Sequence, residues 1–189
     1  MGIDEFLFSL INGGFGSPPL DLIFVAITYI GDLVTLALVS LLMLVLKRTR
    51  NTAVVLLVGL FLNSLLIQAL KLLIGRPAPY LVFPDARVLL EKDLSMTMPS
   101  GHSSRIFLVS ATLSGKVKGK TRVLLYVLAC LVGFSRIYVG VHWPTDVVVG
   151  ALIGYAMGRV LRSGRAEGLS KCLLARFNLL GEAPSKGSR

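Results

Sequence analysis

The strongest constraint on this chain is an apolar run from about Leu20 to Leu46, in which Asp21 and Asp32 are the only charged residues. At 1.5 Å per residue, a helix of this length extends roughly 40 Å and can cross the ~30 Å hydrocarbon core of a bilayer. Only 16% of all residues are charged, whereas soluble domains carry about 25%. The sequence therefore predicts an integral membrane protein.

Four further apolar runs predict the other membrane spans. With the first run, the predicted spans are about 20–46, 52–75, 101–117, 121–137 and 144–163. Residues 3–11 are too short to span and precede a Gly- and Pro-rich break, which predicts an interfacial helix. The predicted fold is all-α, a polytopic membrane helical bundle of about five transmembrane helices plus the short interfacial helix. It forms one membrane-embedded domain over residues 1–163, followed by a basic tail over residues 164–189.

Positive charge is distributed unevenly between the two sides of such a bundle. Of the 20 Lys and Arg residues, fourteen fall on one side together with two acids, and the other side has six cations and eight acids. The positive-inside rule makes the cation-rich side, with the tail, cytoplasmic and turns the amino terminus outward. Because topology explains most of the net charge of +10, no nucleic-acid partner is expected.

Three polar segments lie together on the outward side of this topology. They are residues 71–80 (KLLIGRPAPY), residues 98–104 (MPSGHSS) and residues 135–146 (SRIYVGVHWPTD). Lys71, Arg76, Arg105 and Arg136 lie at or inside the ends of apolar runs, where a cation is costly, and such residues are functional candidates. The segments combine three cations, both histidines of the chain, a carboxylate and a helix start. We therefore expect one anion site where they meet.

The second segment has the features of a phosphate-binding helix start. Ser100 is the predicted N-cap, and the free backbone N–H groups that follow a cap bind anions. Gly101 lets the backbone approach a phosphate closely, and His102 can give a proton to a departing oxygen. Taken alone, this tetrapeptide would be interpreted as an ordinary helix cap, and the other two segments are what favour a phosphate site.

The third segment predicts an oriented imidazole. Pro144 favours the start of a helix, which places Asp146 in its first turn and His142 just before it. A carboxylate in this position can accept the ring N–H and raise the basicity of the other ring nitrogen. The competing interpretation is a metal site. However, two histidines and one aspartate would be the whole ligand set, and the nearby cations would repel a metal ion. We expect neither a metal nor another cofactor.

The three motifs together resemble the phosphatidic acid phosphatase type 2 superfamily of membrane lipid phosphatases, over roughly residues 60–160. The resemblance implies a metal-independent phosphomonoesterase or diphosphatase that works through a phosphohistidine. It implies that His142 attacks phosphorus, that Asp146 orients His142, and that His102 protonates the leaving group. The residues that it implies for holding the phosphoryl oxygens are Lys71, Ser100, Gly101 and Arg136.

One position departs from the family pattern. The pattern has a lysine, six residues and then Arg-Pro, but at that spacing from Lys71 this chain has Ala78 and Pro79. We expect Arg76, two positions earlier, to reach the same phosphoryl oxygen from a shifted loop. The alternative is a site with one charge fewer, which would weaken phosphate binding by about 1.5–3 kcal/mol.

The resemblance makes a lipid at the outer leaflet the expected substrate. Polyprenyl diphosphate is the first candidate, followed by phosphatidic acid and phosphatidylglycerophosphate. Two other classes stay open. One is a phosphotransferase that passes the phosphoryl group from His142 to an acceptor other than water. The other is a non-catalytic lipid-binding or transport protein, against which the nearly complete set of motif residues argues.

Three features lie outside the motifs. Gly150, Gly154 and Gly158 recur every four residues, which predicts close helix packing within the chain rather than between copies. In the tail, an apolar stripe lies beside Lys171 and Arg176, which predicts either a helix on the cytoplasmic leaflet or a disordered segment. Residues 80–98 form an outer loop that could cap the site or select head groups.

Overall fold

The computed structural model describes residues 2–91, 96–163 and 168 of the chain. The elements in this part are all helical, which confirms the predicted fold class. They are α1 (Ile3–Gly14), α2 (Pro18–Ile30), α3 (Leu33–Val45), α4 (Arg50–Ile74), the single turn α5 (Pro79–Val82), α6 (Gly101–Leu113), α7 (Gly119–Tyr138) and α8 (Pro144–Leu161). The predictions for the tail lie outside the described residues.

The first predicted span consists of two helices. α2 and α3 meet at an angle of 53°, and the break falls at Gly31 and Asp32. The Asp32 carboxylate accepts the Val34 N–H at 2.8 Å and so caps the new helix. α2 packs against α7, whereas α3 packs against α4. The bend therefore lets the two halves of one apolar run cover different neighbours.

By length and composition, the described helices include three that can cross a membrane, or four if α2 and α3 form one bent span. The three are the stretch containing α4 and α5, α7, and α8. α6 has 13 residues and extends only about 20 Å, less than the thickness of the hydrocarbon core. The membrane bundle is thus supported, and the count of about five spans stays a prediction.

α6 lies close along α8 because glycines replace larger side chains at the contact. A Cβ atom at Gly150 or Gly154 would collide with the carbonyl group of Ser100 or Ser104, and one at Gly158 would meet the Leu108 carbonyl. The predicted close packing within the chain is therefore confirmed. It brings the first turns of α6 and α8 together at one end of the bundle.

The amino-terminal helix α1 docks at the same end. Phe8 is buried against Trp143, with ring centroids 5.4 Å apart. The buried Asn12 side chain donates to the carbonyl oxygens of Arg87 and Tyr138, each at 2.8 Å, and accepts the Arg87 N–H at 2.9 Å. α1 therefore joins the segment before α6 to the end of α7. The predicted helix over residues 3–11 is confirmed, and its position at the membrane interface stays a prediction.

Candidate active site

A polar cavity of about 370 Å³ opens at the end of the bundle where α6 begins. Five of the predicted site residues lie in its wall: Lys71, Gly101, His102, Arg136 and His142. The remaining wall residues are Leu33, Ser64, Ile67, Gln68, Tyr80, Leu90, Glu91, Met96, Thr97, Arg105 and Val141. The three predicted segments therefore contribute to one cavity.

The start of α6 is held by Ser100. Its side-chain oxygen caps the helix by accepting the Ser103 N–H, at the long distance of 3.5 Å. Its own N–H donates to the carbonyl oxygen of Asp146 at 2.9 Å, which ties α6 to α8. Ser100 is fully buried and is not among the residues of the cavity wall. The predicted cap is confirmed, and in this structure Ser100 supports the helix start while Gly101 and His102 line the cavity.

A tight turn after α7 places His142. The N–H groups of Val141 and His142 both donate to the Arg136 carbonyl oxygen, at 3.2 and 3.3 Å. Gly140 has φ = 85°, and a Cβ atom there would collide with the Arg87 carbonyl. The left-handed conformation and the close approach both require glycine. The turn holds His142 in the cavity wall with only 5% of the residue exposed.

Asp146 lies behind the His142 ring. Nδ1 of His142 is 3.5 Å from Oδ2 of Asp146, at the outer limit of a hydrogen bond. This nitrogen has no hydrogen-bond partner in the described part of the chain. In free enzymes catalytic hydrogen bonds are often long and tighten when substrate binds. The predicted pairing of carboxylate and imidazole is therefore present as a loose contact.

The electrostatic environment keeps His142 neutral. Burial lowers the pKa of His142 from 6.5 to about 4, and the positive charges of Arg136 and Lys71 act in the same direction. The Asp146 carboxylate opposes this shift without overcoming it. At neutral pH the imidazole therefore keeps a nitrogen lone pair, as a nucleophile requires.

Arg76 does not lie where the sequence suggested. It is absent from the cavity wall, and its guanidinium binds the carboxylates of Asp146, at 2.9 Å, and Asp4. It also donates to the Thr145 hydroxyl at 2.6 Å and lies over the Trp143 ring. The expectation that Arg76 replaces the missing arginine of the loop stays a prediction that this structure does not support, because two carboxylates hold its guanidinium at the start of α8. Arg76 stabilises Asp146 instead.

Arg136 presents an unsatisfied donor. The residue is 8% exposed, and Nη1 donates to the Thr28 hydroxyl at 2.8 Å. Its Nε atom is buried and has no hydrogen-bond partner among the described residues. A buried donor without a partner is costly unless a ligand satisfies it. Arg136 is therefore suited to hold an anion in the cavity.

Two site residues, Asp4 and Asp32, were not identified from the sequence, and a third, Arg105, was identified there only as a functional candidate without a role. Arg105 follows His102 by three residues on α6, and its Nη2 atom lies 3.3 Å from Nδ1 of His102. Asp32 has Oδ1 3.8 Å from Nε2 of His102. Asp4 contacts Arg76 and Thr145 from α1. The spacing of Arg105 was a usable signal, since residues three apart share a helix face.

The described residues contain no group of three or more His, Cys, Asp or Glu side chains placed to hold a metal ion. The cavity instead combines cationic side chains, two imidazoles and a helix amino terminus. Such a set can bind a phosphoryl group, attack it from one side and protonate an oxygen that leaves.

Comparison with known proteins gives a family match over the same region. The family model described as PAP2 superfamily matches residues 52–167. Undecaprenyl-diphosphatase of Sulfolobus acidocaldarius is 32% identical over 116 residues, which are 61% of this chain and 56% of that protein. Decaprenylphosphoryl-5-phosphoribose phosphatase of Mycobacterium tuberculosis is 30% identical over 118 residues, 62% of this chain and 64% of that protein. The chain thus covers less than two thirds of either relative.

Two solved structures share the fold. LpxE of Aquifex aeolicus superimposes with a TM-score of 0.77 and 30% identity, covering 85% of this chain and 95% of that chain. A transmembrane PAP2 type phosphatidylglycerolphosphate phosphatase from Bacillus subtilis gives a TM-score of 0.74 and 27% identity, covering 88% and 85% respectively.

Proposed function

The chain belongs to the PAP2 superfamily, and on that premise we propose that it is a phosphatase for a lipid phosphate or a polyprenyl diphosphate in the membrane. The observation that carries the proposal is the cavity wall that His102 and His142 share with Lys71 and Arg136. The wall pairs a neutral imidazole with a second imidazole and with cations that bind phosphate. A non-catalytic lipid carrier has no use for two histidines in such a place.

In the first step, a ring nitrogen of His142 attacks phosphorus. A P–N bond forms, the P–O bond to the lipid or lipid phosphate breaks, and the leaving oxygen takes a proton from His102. Lys71, Arg136 and the backbone N–H groups at the start of α6 hold the phosphoryl oxygens as charge develops. Asp146 accepts the Nδ1–H of His142 and stabilises the positive charge that forms on the ring.

In the second step, water attacks the phosphohistidine. His102, now neutral, takes a proton from the water, an O–P bond forms, the P–N bond breaks, and inorganic phosphate leaves. Both histidines thereby return to the protonation states in which they began the first step. The charge stabilisation that a metal ion would give is supplied by cationic side chains, so we propose that the reaction is metal-independent.

The substrate is proposed from the site and from the relatives together. A single cavity of about 370 Å³ with a cationic wall accommodates a phosphate or diphosphate head group, while the acyl or prenyl chain stays among the apolar helices. The relative from Sulfolobus acidocaldarius is an undecaprenyl-diphosphatase, so polyprenyl diphosphate is the first substrate to test. Phosphatidylglycerophosphate follows, since it is the substrate named for the Bacillus subtilis protein.

The orientation in the membrane is proposed from charge. The connections that precede α4 and α7 lie at the opposite end of the bundle from the cavity. They contain Lys47, Arg48, Lys116 and Lys118, and the first turns of α4 and α7 add Arg50 and Lys120. By the positive-inside rule these connections are cytoplasmic, and the cavity opens on the outer side. The polar loop between α5 and α6 is then accessible to impermeant reagents in intact cells.

The proposed function is tested by phosphate release from a panel of lipid phosphates in the presence of a chelator. We expect polyprenyl diphosphate or a lipid monophosphate to be hydrolysed by the purified full-length protein, and His142→Ala to abolish release. Analysis of the products with an added lipid alcohol separates hydrolysis from transfer to another acceptor. A protein that hydrolyses no member of the panel, or that loses all activity in the chelator, contradicts the proposal.

A further inference from the structure

The loop after α4 contributes no arginine to the cavity. Arg76 is bound to Asp146 and Asp4, and position 78 is a buried alanine. Nevertheless a third cationic side chain lies in the cavity wall besides Lys71 and Arg136, and it comes from a different element. This side chain is Arg105 on α6.

The Arg105 side chain folds back along the first turn of α6. Its Nε atom lies 3.4 Å from the Gly31 carbonyl oxygen, and its Nη1 atom would be 3.1 Å from a Cβ atom at Gly101. The guanidinium therefore lies against the amino terminus of the helix, where free N–H groups also favour an anion. Gly101 provides the space for this arrangement because it has no side chain.

The charge of Arg105 has no carboxylate partner within 4.0 Å in the described part of the chain, although the side chain is partly buried. The Asp32 carboxylate lies 3.8 Å from Nε2 of His102 and makes no ion pair with Arg105 within that limit. A desolvated cation is costly unless an anion compensates it. A phosphoryl group in the cavity would supply that anion.

We propose that Arg105 binds a phosphoryl oxygen of the substrate together with Lys71 and Arg136. This inference rests on the proposed function and names a residue of that same site. An arginine suits the role because its planar fork makes two parallel hydrogen bonds to phosphate oxygens.

The contact between Arg105 and His102 links substrate binding to the acid step. A guanidinium is only a donor, so Nδ1 of His102 is the acceptor and the neutral ring carries its proton on Nε2. While Arg105 donates to Nδ1, this nitrogen cannot accept the proton that would convert the neutral ring of His102 into an imidazolium. A phosphoryl oxygen is a stronger acceptor than a neutral imidazole. When a phosphoryl oxygen arrives and takes over the hydrogen bonds of Arg105, Nδ1 is free to accept a proton from solvent, and the resulting imidazolium acts as the acid.

The test measures anion binding by the full-length protein in detergent, without turnover. Isothermal titration with orthovanadate is compared for wild type, Arg105→Gln and Arg105→Lys. The matched control is Arg122→Gln, because within the described residues Arg122 donates to the carbonyl oxygens of Ser114 and Val117, at the other end of the bundle. Thermal unfolding of each variant establishes that it is folded.

We expect Arg105→Gln to weaken vanadate binding by about 10- to 100-fold, because a charge-assisted contact is lost. Arg105→Lys keeps the charge without the fork and should lose about 3- to 10-fold. Arg122→Gln should bind as wild type does. Wild-type affinity for vanadate in either Arg105 variant overturns the inference. If Arg105→Gln does not fold, the vanadate affinity of Arg105→Lys alone tests it. Vanadate binding requires no turnover, so the two proposals can fail separately. If the protein hydrolyses no lipid phosphate but still binds vanadate through Arg105, only the proposed function is contradicted.

Discussion

Arg76 donates to Oδ1 of the fully buried Asp146 at 2.9 Å, and this contact joins the loop after α4 to the first turn of α8. Oδ2 of the same carboxylate accepts the Trp143 N–H at 3.0 Å and faces His142. Both oxygens are therefore held in place. We expect Arg76 to act as a positioning residue that fixes the carboxylate next to His142.

Arg76→Gln is expected to lower kcat by about 10- to 100-fold, since it leaves a buried carboxylate without its cationic partner. The affinity for orthovanadate should change less than threefold, because Arg76 does not line the cavity. Steady-state kinetics and vanadate titration measure the two effects separately. Arg105→Gln serves as the comparison, because this variant is expected to lose affinity for vanadate. Vanadate binding weakened tenfold in Arg76→Gln would place the guanidinium at the anion after all.

The pH dependence of kcat/KM is expected to reflect the lowered pKa of His142. In the free enzyme this pKa is about 4, chiefly through burial, so the nucleophile is neutral above about pH 5 and becomes protonated below that. The acid limb from His142 should therefore lie near pH 4, well below the value of 6.5 for an exposed histidine. A kcat/KM profile between pH 3.5 and 8 measures it. If the acid limb of wild type has its midpoint at pH 6.5, His142 is not the depressed group described here.

The same shift makes folding stability depend on pH. The unfolded chain binds a proton at His142 below pH 6.5, whereas the folded chain resists doing so until about pH 4. Stability from this group is therefore complete above pH 6.5 and declines as the pH falls toward 4. The melting temperature of His142→Gln should show a smaller loss over this range than that of wild type. Equal losses would show that burial of this imidazole does not set the trend.

Gly154→Ala is expected to destabilise the fold and reduce activity, because the added Cβ atom would collide with the Ser104 carbonyl and separate α6 from α8. Overpacking of this kind costs about 1–3 kcal/mol. Gly13→Ala is the matched control, since a Cβ atom there meets nothing within 4 Å. Thermal unfolding and phosphate release measure both variants. Equal melting temperatures for the two variants would contradict the close packing of α6 on α8.

The parts of the site that could be predicted depend on short-range spacing. Ser100 at a helix start, the glycines of α8, and the four-residue interval from His142 to Asp146 each carry a local signal that helix geometry converts into a position. The bend between α2 and α3 also had a local signal, the Gly31-Asp32 pair. The length of the apolar run around this pair nevertheless predicted one continuous span.

The partner of Arg76 could not be predicted in this way. Asp4 and Thr145 are far apart in the sequence, and they meet only because α1 docks against the start of α8. An arginine near a phosphate motif has two plausible partners, a ligand or a carboxylate. Sequence spacing alone does not choose between them, whereas packing does.

The central claim is that His142 forms a covalent bond to phosphorus, and trapping that intermediate tests it most directly. In His102→Asn, a substrate whose leaving group needs no proton, such as p-nitrophenyl phosphate, should let the phosphoenzyme accumulate because the water step lacks its base. Cleavage after Arg136 and Arg159 gives a peptide of residues 137–159 that contains His142 and not His102. Mass spectrometry after an alkaline quench should find one phosphoryl group on this peptide, at His142. Steady phosphate release with no phosphoryl group on residues 137–159, or full turnover by His142→Ala, would contradict the account.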